Sequence, residues 1–210
     1  MDPVWLNFIS FLAVYSLAIV SPGPNFILVV NTTLAGSRKR GLYTALGVAT
    51  GSGLFGFAGL LGLLVIVNAL PHFSMLIRLL GGGYLIWLGL KMVRNSFRKG
   101  GVVAEGTPAI VSEAPYRSWQ TGLLTNLTNP KAWAFYLALF TVVITPGFNL
   151  LHKALLNLSM FLISFSWYAL VVGMISSHRF GPLLQKGQRG IELVLGVLLL
   201  ALGGRMFLSI

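Results

Sequence analysis

A chain of 210 residues in which 56% are hydrophobic and only 9% charged, with a mean hydropathy of +0.84, stands far from soluble domains, where about a quarter of residues are charged. A water-soluble fold of this composition would precipitate, which places the chain in a bilayer. The net charge of +11 does not mark a nucleic-acid binder, because the Lys and Arg residues gather at the ends of apolar segments.

Apolar segments near the roughly 20 residues that cross a bilayer run over 4–30, 43–70, 73–93, 119–144, 155–175 and 191–210. They predict an all-α membrane protein of six transmembrane helices in a single domain. No basic region precedes the first segment and no small-residue cleavage site follows a short apolar run, so it is predicted to stay in the mature protein. A proline-broken polar notch, Ser21-Pro22-Gly23-Pro24-Asn25, interrupts this first segment, and Arg38, Lys39 and Arg40 follow it. The second segment is rich in glycine, with Gly41, Gly47, Gly51, Gly53, Gly56, Gly59 and Gly62. Gly47 and Gly51 have the spacing that lets helix backbones touch in lipid, within one subunit or across a homodimer.

The third segment closes on Lys91 and Arg94. Beyond it, Gly100-Gly101, Glu105, Pro108, Glu113 and Pro115 fall in a stretch without helical period. This predicts a cytoplasmic linker over about 95–116, between repeat one (about 1–94) and repeat two (about 117–210). The fourth segment carries a second notch, Thr128-Asn129-Pro130-Lys131, flanked by Gln120, Thr125 and Asn126. The sixth opens near Glu192, and its Gly196, Gly203, Arg205 and Met206 repeat the spacing of Gly82, Gly89, Lys91 and Met92 in the third.

Arg38, Lys39, Arg40, Lys91, Arg94, Arg98, Lys99, Arg117, Arg179, Lys186 and Arg189 flank alternate connections, while the intervening ones hold little beyond Arg78, His152 and Lys153. Under the positive-inside rule both termini are therefore periplasmic. Three segments per repeat is an odd number, so the second repeat enters the membrane from the opposite side. Inverted repeats with matched interruptions are the sequence pattern of secondary transporters, with the site at the breaks. There are no cysteines, His72, His152 and His178 do not stand at metal-ligand spacing, and no cofactor or metal is expected.

Past each break, the half-helix starting at Pro24 or Pro130 begins with amides that lack a carbonyl four residues back. Both positive ends point to the membrane middle, where they suit an anion such as a carboxylate. Two packing kinks capped by neighbouring side chains would leave the same pattern. Polar groups stranded in hydrocarbon cost several kcal/mol as an order of magnitude, so Asn25, Asn31, Asn126, Asn129 and Lys131 must face protein or a wet cavity. Lys131 is either a counter-charge for a bound anion or a side chain that snorkels to an interface.

The strings Ser21-Pro22-Gly23-Pro24-Asn25-Phe26, Gly82-Gly83-Tyr84-Leu85-Ile86-Trp87-Leu88-Gly89 and Gly122-Leu123-Leu124-Thr125-Asn126-Leu127-Thr128-Asn129-Pro130-Lys131-Ala132 resemble those of the LysE/RhtB family of bacterial amino-acid exporters, in details closest to its threonine and homoserine efflux branch. The resemblance runs over nearly the whole chain. It implies an inner-membrane exporter driven by the proton motive force, with polar motif positions at Pro22, Gly23, Pro24, Asn25, Asn129, Pro130 and Lys131. The chain departs from the family's pattern after the second break, reading Phe140-Thr141-Val142-Val143-Ile144-Thr145-Pro146 where members often carry an earlier proline and aromatic.

The substrate-binding candidates are thus Pro22, Gly23, Pro24, Asn25, Asn126, Asn129, Pro130 and Lys131, and the partners an amino acid, protons and the lipid bilayer. Proton coupling needs a titrating group, yet the carboxylates are only Asp2, Glu105, Glu113 and Glu192. Glu192 is the sole candidate outside the terminus and linker, although a carboxylate in a first helical turn also has a purely structural use. An exporter of small neutral amino acids and a channel for an ion or small solute both fit broken, glycine-rich helices. An enzyme would need a nucleophile–base set or metal cluster, and the sequence presents neither.

Overall fold

The computed structural model describes residues 3–21, 23–59, 71–97, 114–143, 148–175 and 180–208, and among them the chain is all-α. Eight helices follow one another among the described residues: α1 (Pro3–Val20), α2 (Pro24–Ala35), α3 (Arg38–Ala58), α4 (Pro71–Ser96), α5 (Pro115–Leu127), α6 (Pro130–Val143), α7 (Leu150–Ile175) and α8 (Phe180–Leu208). The linker between α4 and α5, with Glu105 and Glu113, lies outside the described residues, as do Asp2, Pro22, Gly62, Pro146 and His178.

The two notches become helix ends. Proline at the first helical position costs no hydrogen bond and has a suitable φ, so α2 restarts at Pro24 and α6 at Pro130. The axes of α1 and α2 meet at 51°. Among the described residues, α7, with 26 residues, is the helix long and apolar enough to cross a membrane unaided, and α1 with α2 passes the same test as one bent pair.

The helices bury a mainly apolar core that also holds their few polar side chains, and turn apolar side chains outward. On α7 the row Leu156, Met160, Ser164, Tyr168 and Val172 is buried, while Leu151, Leu158, Leu162 and Leu170 are exposed. A row four residues apart is one helix face. The leucine face is exposed among the described residues and matches hydrocarbon, whereas the serine and tyrosine have been withdrawn from it. Arg38, Lys39 and Arg40 occupy the first turn of α3 behind the Ser37 cap, whose hydroxyl accepts from the Arg40 amide at 3.3 Å. Cations are disfavoured by the dipole at that end, so helix stability does not account for their position.

Glycine sets which helices pack. Gly47 of α3 lies against the Trp119 carbonyl and Leu123 amide of α5, Gly122 of α5 lies against Thr44 and Val48, and Gly51 lies against Asn126. α3 and α5 therefore run parallel and nearly touch, so the small-residue spacing is used within one subunit. The antiparallel pair α4 and α8 is packed the same way, Gly89 against Gly196 and Gly82 against Gly203. α3 and α7 are antiparallel, with Ser52 Oγ donating to Ser164 Oγ at 3.3 Å. α1 and α7 are parallel, with Trp5 beside His152 (ring centroids 5.1 Å) and the Tyr15 hydroxyl donating to the Met160 carbonyl at 3.0 Å.

An alanine methyl at Gly47 or Gly122 would fall on backbone of the facing helix, whereas nothing lies within 4 Å of the corresponding position at Gly83. Replacing glycine by alanine inside a helix otherwise stabilises it by about 1 kcal/mol, against an overpacking cost of about 1–3 kcal/mol or more when backbones must separate. Gly47→Ala and Gly122→Ala are accordingly expected to lower membrane abundance and the melting temperature of detergent-purified protein, with Gly83→Ala unchanged or slightly more stable. Equal tolerance at all three positions would refute the close approach of α3 to α5.

Candidate functional site

The two helix breaks, more than a hundred residues apart in sequence, meet in the middle of the bundle. The Lys131 ammonium donates to Ser21 Oγ at 2.9 Å, and Nζ lies 3.6 Å from where a Cβ on Gly23 would stand. A cavity of about 60 Å³ opens beside this contact. Ser21, Gly23, Asn25, Asn129 and Lys131 line one wall, and Leu88, Met92, Leu195 and Leu199 of α4 and α8 another, with Phe26, Phe135, Tyr136 and Tyr168 between them.

The breaks differ in how their loose backbone groups are satisfied. At the second, Asn129 caps α6: its Oδ1 accepts from the Lys131 amide at 3.0 Å and its carbonyl from the Trp133 amide at 3.1 Å. The C-terminal carbonyls of α5 are also taken, Leu124 by the Thr128 hydroxyl (2.8 Å) and Leu127 by the Trp133 indole (2.6 Å). At the first break the cap of α2 is Gly23, extended at φ −170°, with no side chain capping the helix. The anion-facing helix end expected at both breaks is therefore left without a side-chain cap only at α2, while Asn129 caps α6.

Charge follows the same division. The Lys131 ammonium, bonded to Ser21 just past the last residue of α1, sits at the negative end of that helix, and α2 presents its positive end two residues further on. A cation and an anion can thus lie side by side at one break. Asn25, the second residue of α2, is buried, and its Oδ1 is a buried acceptor without a hydrogen-bond partner. Such an orphan in a cavity wall is costly unless a ligand or water meets it.

The other sequence candidates are placed as follows. Pro24 and Pro130 start their helices and are exposed, and Pro22 is not described. Asn126 is not part of the cavity wall. It is fully buried against Gly51, with Nδ2 donating to Ser52 Oγ at 3.4 Å, and it joins α5 to α3 and, through Ser164, to α7. Glu192 lies on α8, three positions before Leu195, and its side chain falls outside the description. Tyr136, Tyr168 and the α4–α8 leucines were not anticipated. The tyrosines had a readable signal, since a hydroxyl inside an apolar segment must find a partner; the leucines had none.

A mainly apolar cavity with polar groups gathered at two helix breaks, inside a bundle with a leucine exterior, fits a membrane-integral translocator. The profile of the family described as LysE type translocators matches residues 16–209, and the chain belongs to that family. Among its relatives, the threonine efflux protein of Escherichia coli (strain K12) is 29% identical over 204 residues, covering 96% of this chain and 98% of the relative. The leucine efflux protein of Klebsiella pneumoniae is 33% identical over 172 residues, 80% of this chain and 78% of that one. No solved structure matches the chain.

Two substitutions test the contact between the breaks. Lys131→Met keeps most of the bulk and removes the charge, and losing one charge-assisted hydrogen bond is worth about 1.5–3 kcal/mol, so the apparent affinity for a carboxylate substrate should drop by roughly ten- to a hundredfold. Lys131→Arg keeps the charge in a wider planar head and should retain partial transport. Transport is measured per amount of protein in the membrane. A normal rate and affinity for Lys131→Met at normal abundance would make this lysine an anchor only.

Proposed function

We propose that the protein exports small neutral amino acids across the bacterial inner membrane, energised by the proton motive force, and binds them in the cavity between the two helix breaks. The observation that carries this reading is the meeting of the Lys131 ammonium with the first break, beside the uncapped end of α2. The site so formed suits a carboxylate. Gly23, Asn25, Asn129 and Lys131 line it, Pro24 and Pro130 start the helices beside it, Pro22 of the same motif lies outside the described residues, and Asn126 supports it from the α3 side. The described cavity wall holds no carboxylate to receive a cationic side chain, which favours neutral substrates, threonine and homoserine among them, over lysine or arginine. Relatives named for threonine and leucine efflux agree with a neutral substrate.

The proposed architecture is six spans in two inverted repeats, with α1–α2 and α5–α6 as broken spans and both termini periplasmic. The packing directions support it. Swapping the repeats turns the parallel pair α1–α7 into the parallel pair α5–α3, and each of the antiparallel pairs α3–α7 and α4–α8 into itself. The glycine contacts obey the same exchange: equating Gly82 with Gly196 and Gly89 with Gly203 converts the Gly82–Gly203 contact into Gly196–Gly89. Proton coupling has less behind it. Glu192, on a helix that lines the cavity, is the carboxylate nearest in sequence to a lining residue, and water in the cavity or the substrate's own amino group are other carriers.

Counterflow in proteoliposomes tests the transport reading. Labelled neutral amino acids should accumulate against unlabelled ones, and an imposed pH gradient should drive net uphill flux. Flux that never exceeds equilibrium under any gradient would show a channel instead. For the topology, an alkaline phosphatase fused to the C-terminus should be active; an inactive fusion together with a fluorescent cytoplasmic reporter would overturn periplasmic termini.

A further inference from the structure

The cavity's lining divides by chemistry, polar groups at the breaks and aliphatic side chains on α4 and α8, and the division bears on the substrate's side chain, an inference that rests on the exporter reading above. On the wall of the breaks stand a cation, Lys131, and a buried acceptor, Asn25 Oδ1, which has no partner. A zwitterion carries the complementary pair, a carboxylate for the ammonium and the α2 amides, and an ammonium for the amide oxygen. Both groups of an amino acid's backbone are thereby accounted for by this wall alone, and the side chain is left to face the other.

That other wall is Leu88 and Met92 of α4 with Leu195 and Leu199 of α8. The two hydroxyls bordering the cavity are already engaged, Tyr136 with Tyr15 and Ser52, and Tyr168 with Asn25 on the wall of the breaks. A hydroxyl on the substrate's side chain would therefore exchange water for methyl groups and stay unpaired. An aliphatic side chain loses nothing there and gains burial.

We infer that the site takes a zwitterionic amino acid with an aliphatic side chain, of the leucine class, with Asn25 Oδ1 receiving the substrate's α-ammonium and the Leu88–Met92–Leu195–Leu199 wall choosing aliphatic over hydroxylated side chains. Hydrophobic pockets discriminate against a hydroxylated competitor by about a hundredfold at best, so the preference for leucine over threonine should lie between about ten- and a hundredfold.

The experiment is counterflow in proteoliposomes with labelled leucine and, separately, labelled threonine, using leucine, threonine, 4-methylpentanoate and isoamylamine as competitors. Leucine should compete at least about tenfold better than threonine and far better than 4-methylpentanoate, which lacks the ammonium. Asn25→Ala should weaken leucine toward the level of 4-methylpentanoate while leaving 4-methylpentanoate unchanged. Asn25→Asp keeps the acceptor and the size, and should retain leucine binding even if the alanine variant fails to reach the membrane. Leu199→Asn should narrow the leucine–threonine gap by about tenfold at unchanged abundance. Threonine matching or exceeding leucine on the unmodified protein would overturn the aliphatic class while leaving the exporter reading standing. Loss of leucine and 4-methylpentanoate in parallel on Asn25→Ala would overturn the role of Asn25. Absence of counterflow for every amino acid would remove the exporter reading and this inference together.

Discussion

Breaking a helix inside a bilayer frees amides and carbonyls that lipid cannot satisfy, and the arrangement of this protein follows from how each is answered. An intact helix spends its backbone polarity on itself. At the second break nearly every loose group has a local answer: Asn129 for the amide end, Thr128 and Trp133 for the carbonyl end. At the first break no side chain caps the amide end of α2, and the nearest added polar group is the Lys131 head from the other break. Two otherwise similar motifs have divided the labour, one closed on itself and one left without a side-chain cap.

A lysine in that position is tolerable because it does not stand alone. Its head group meets the Ser21 hydroxyl at the carbonyl end of α1, so dipole and hydrogen bond both favour the charged form. The same helix end that steadies the cation is followed within a few residues by one that favours an anion. Opposite preferences at one helix break are the electrostatic image of a zwitterion, which a continuous helix carrying the same lysine would not offer.

Much of this was legible in the sequence, for reasons that can be named. Pro24 and Pro130 announce helix starts through the missing N–H, and the structure places both starts at those residues. The glycine spacing of α3 reads as close packing, and Gly47 and Gly51 do pack closely, on α5. What the sequence withheld is partnership. Asn126 and Asn129 lie three apart in the same polar string, yet one ties α5 to Ser52 while the other caps α6 beside the cavity, because a helix ends between them and turns them apart. The α4–α8 leucines are identical in type to those facing outward, so only the tertiary arrangement distinguishes a lining residue from a lipid-facing one. Tyr15 likewise reads as one more aromatic until its hydroxyl is seen on the Met160 carbonyl.

The distribution of strong and weak contacts also bears on how such a cavity could open. α3, α5 and α7 are joined by direct backbone approach at Gly47 and Gly122 and by the Asn126–Ser52–Ser164 series, contacts that lose hydrogen bonds or meet backbone if the helices shift. α4 and α8 are joined to each other by their own glycine seam. The cavity lies between the α4–α8 pair and the residues of α1, α2 and α6 around the breaks, with Tyr168 of α7, and α4 and α8 border it through Leu88, Met92, Leu195 and Leu199, side chains whose dispersion contacts have no directional requirement and can be exchanged one for another. Motion of α4 and α8 as a pair would leave both glycine seams intact and slide only apolar surface over apolar surface. The rigid joints and the slippery one are thus set by residue type, and the slippery one is where the cavity is.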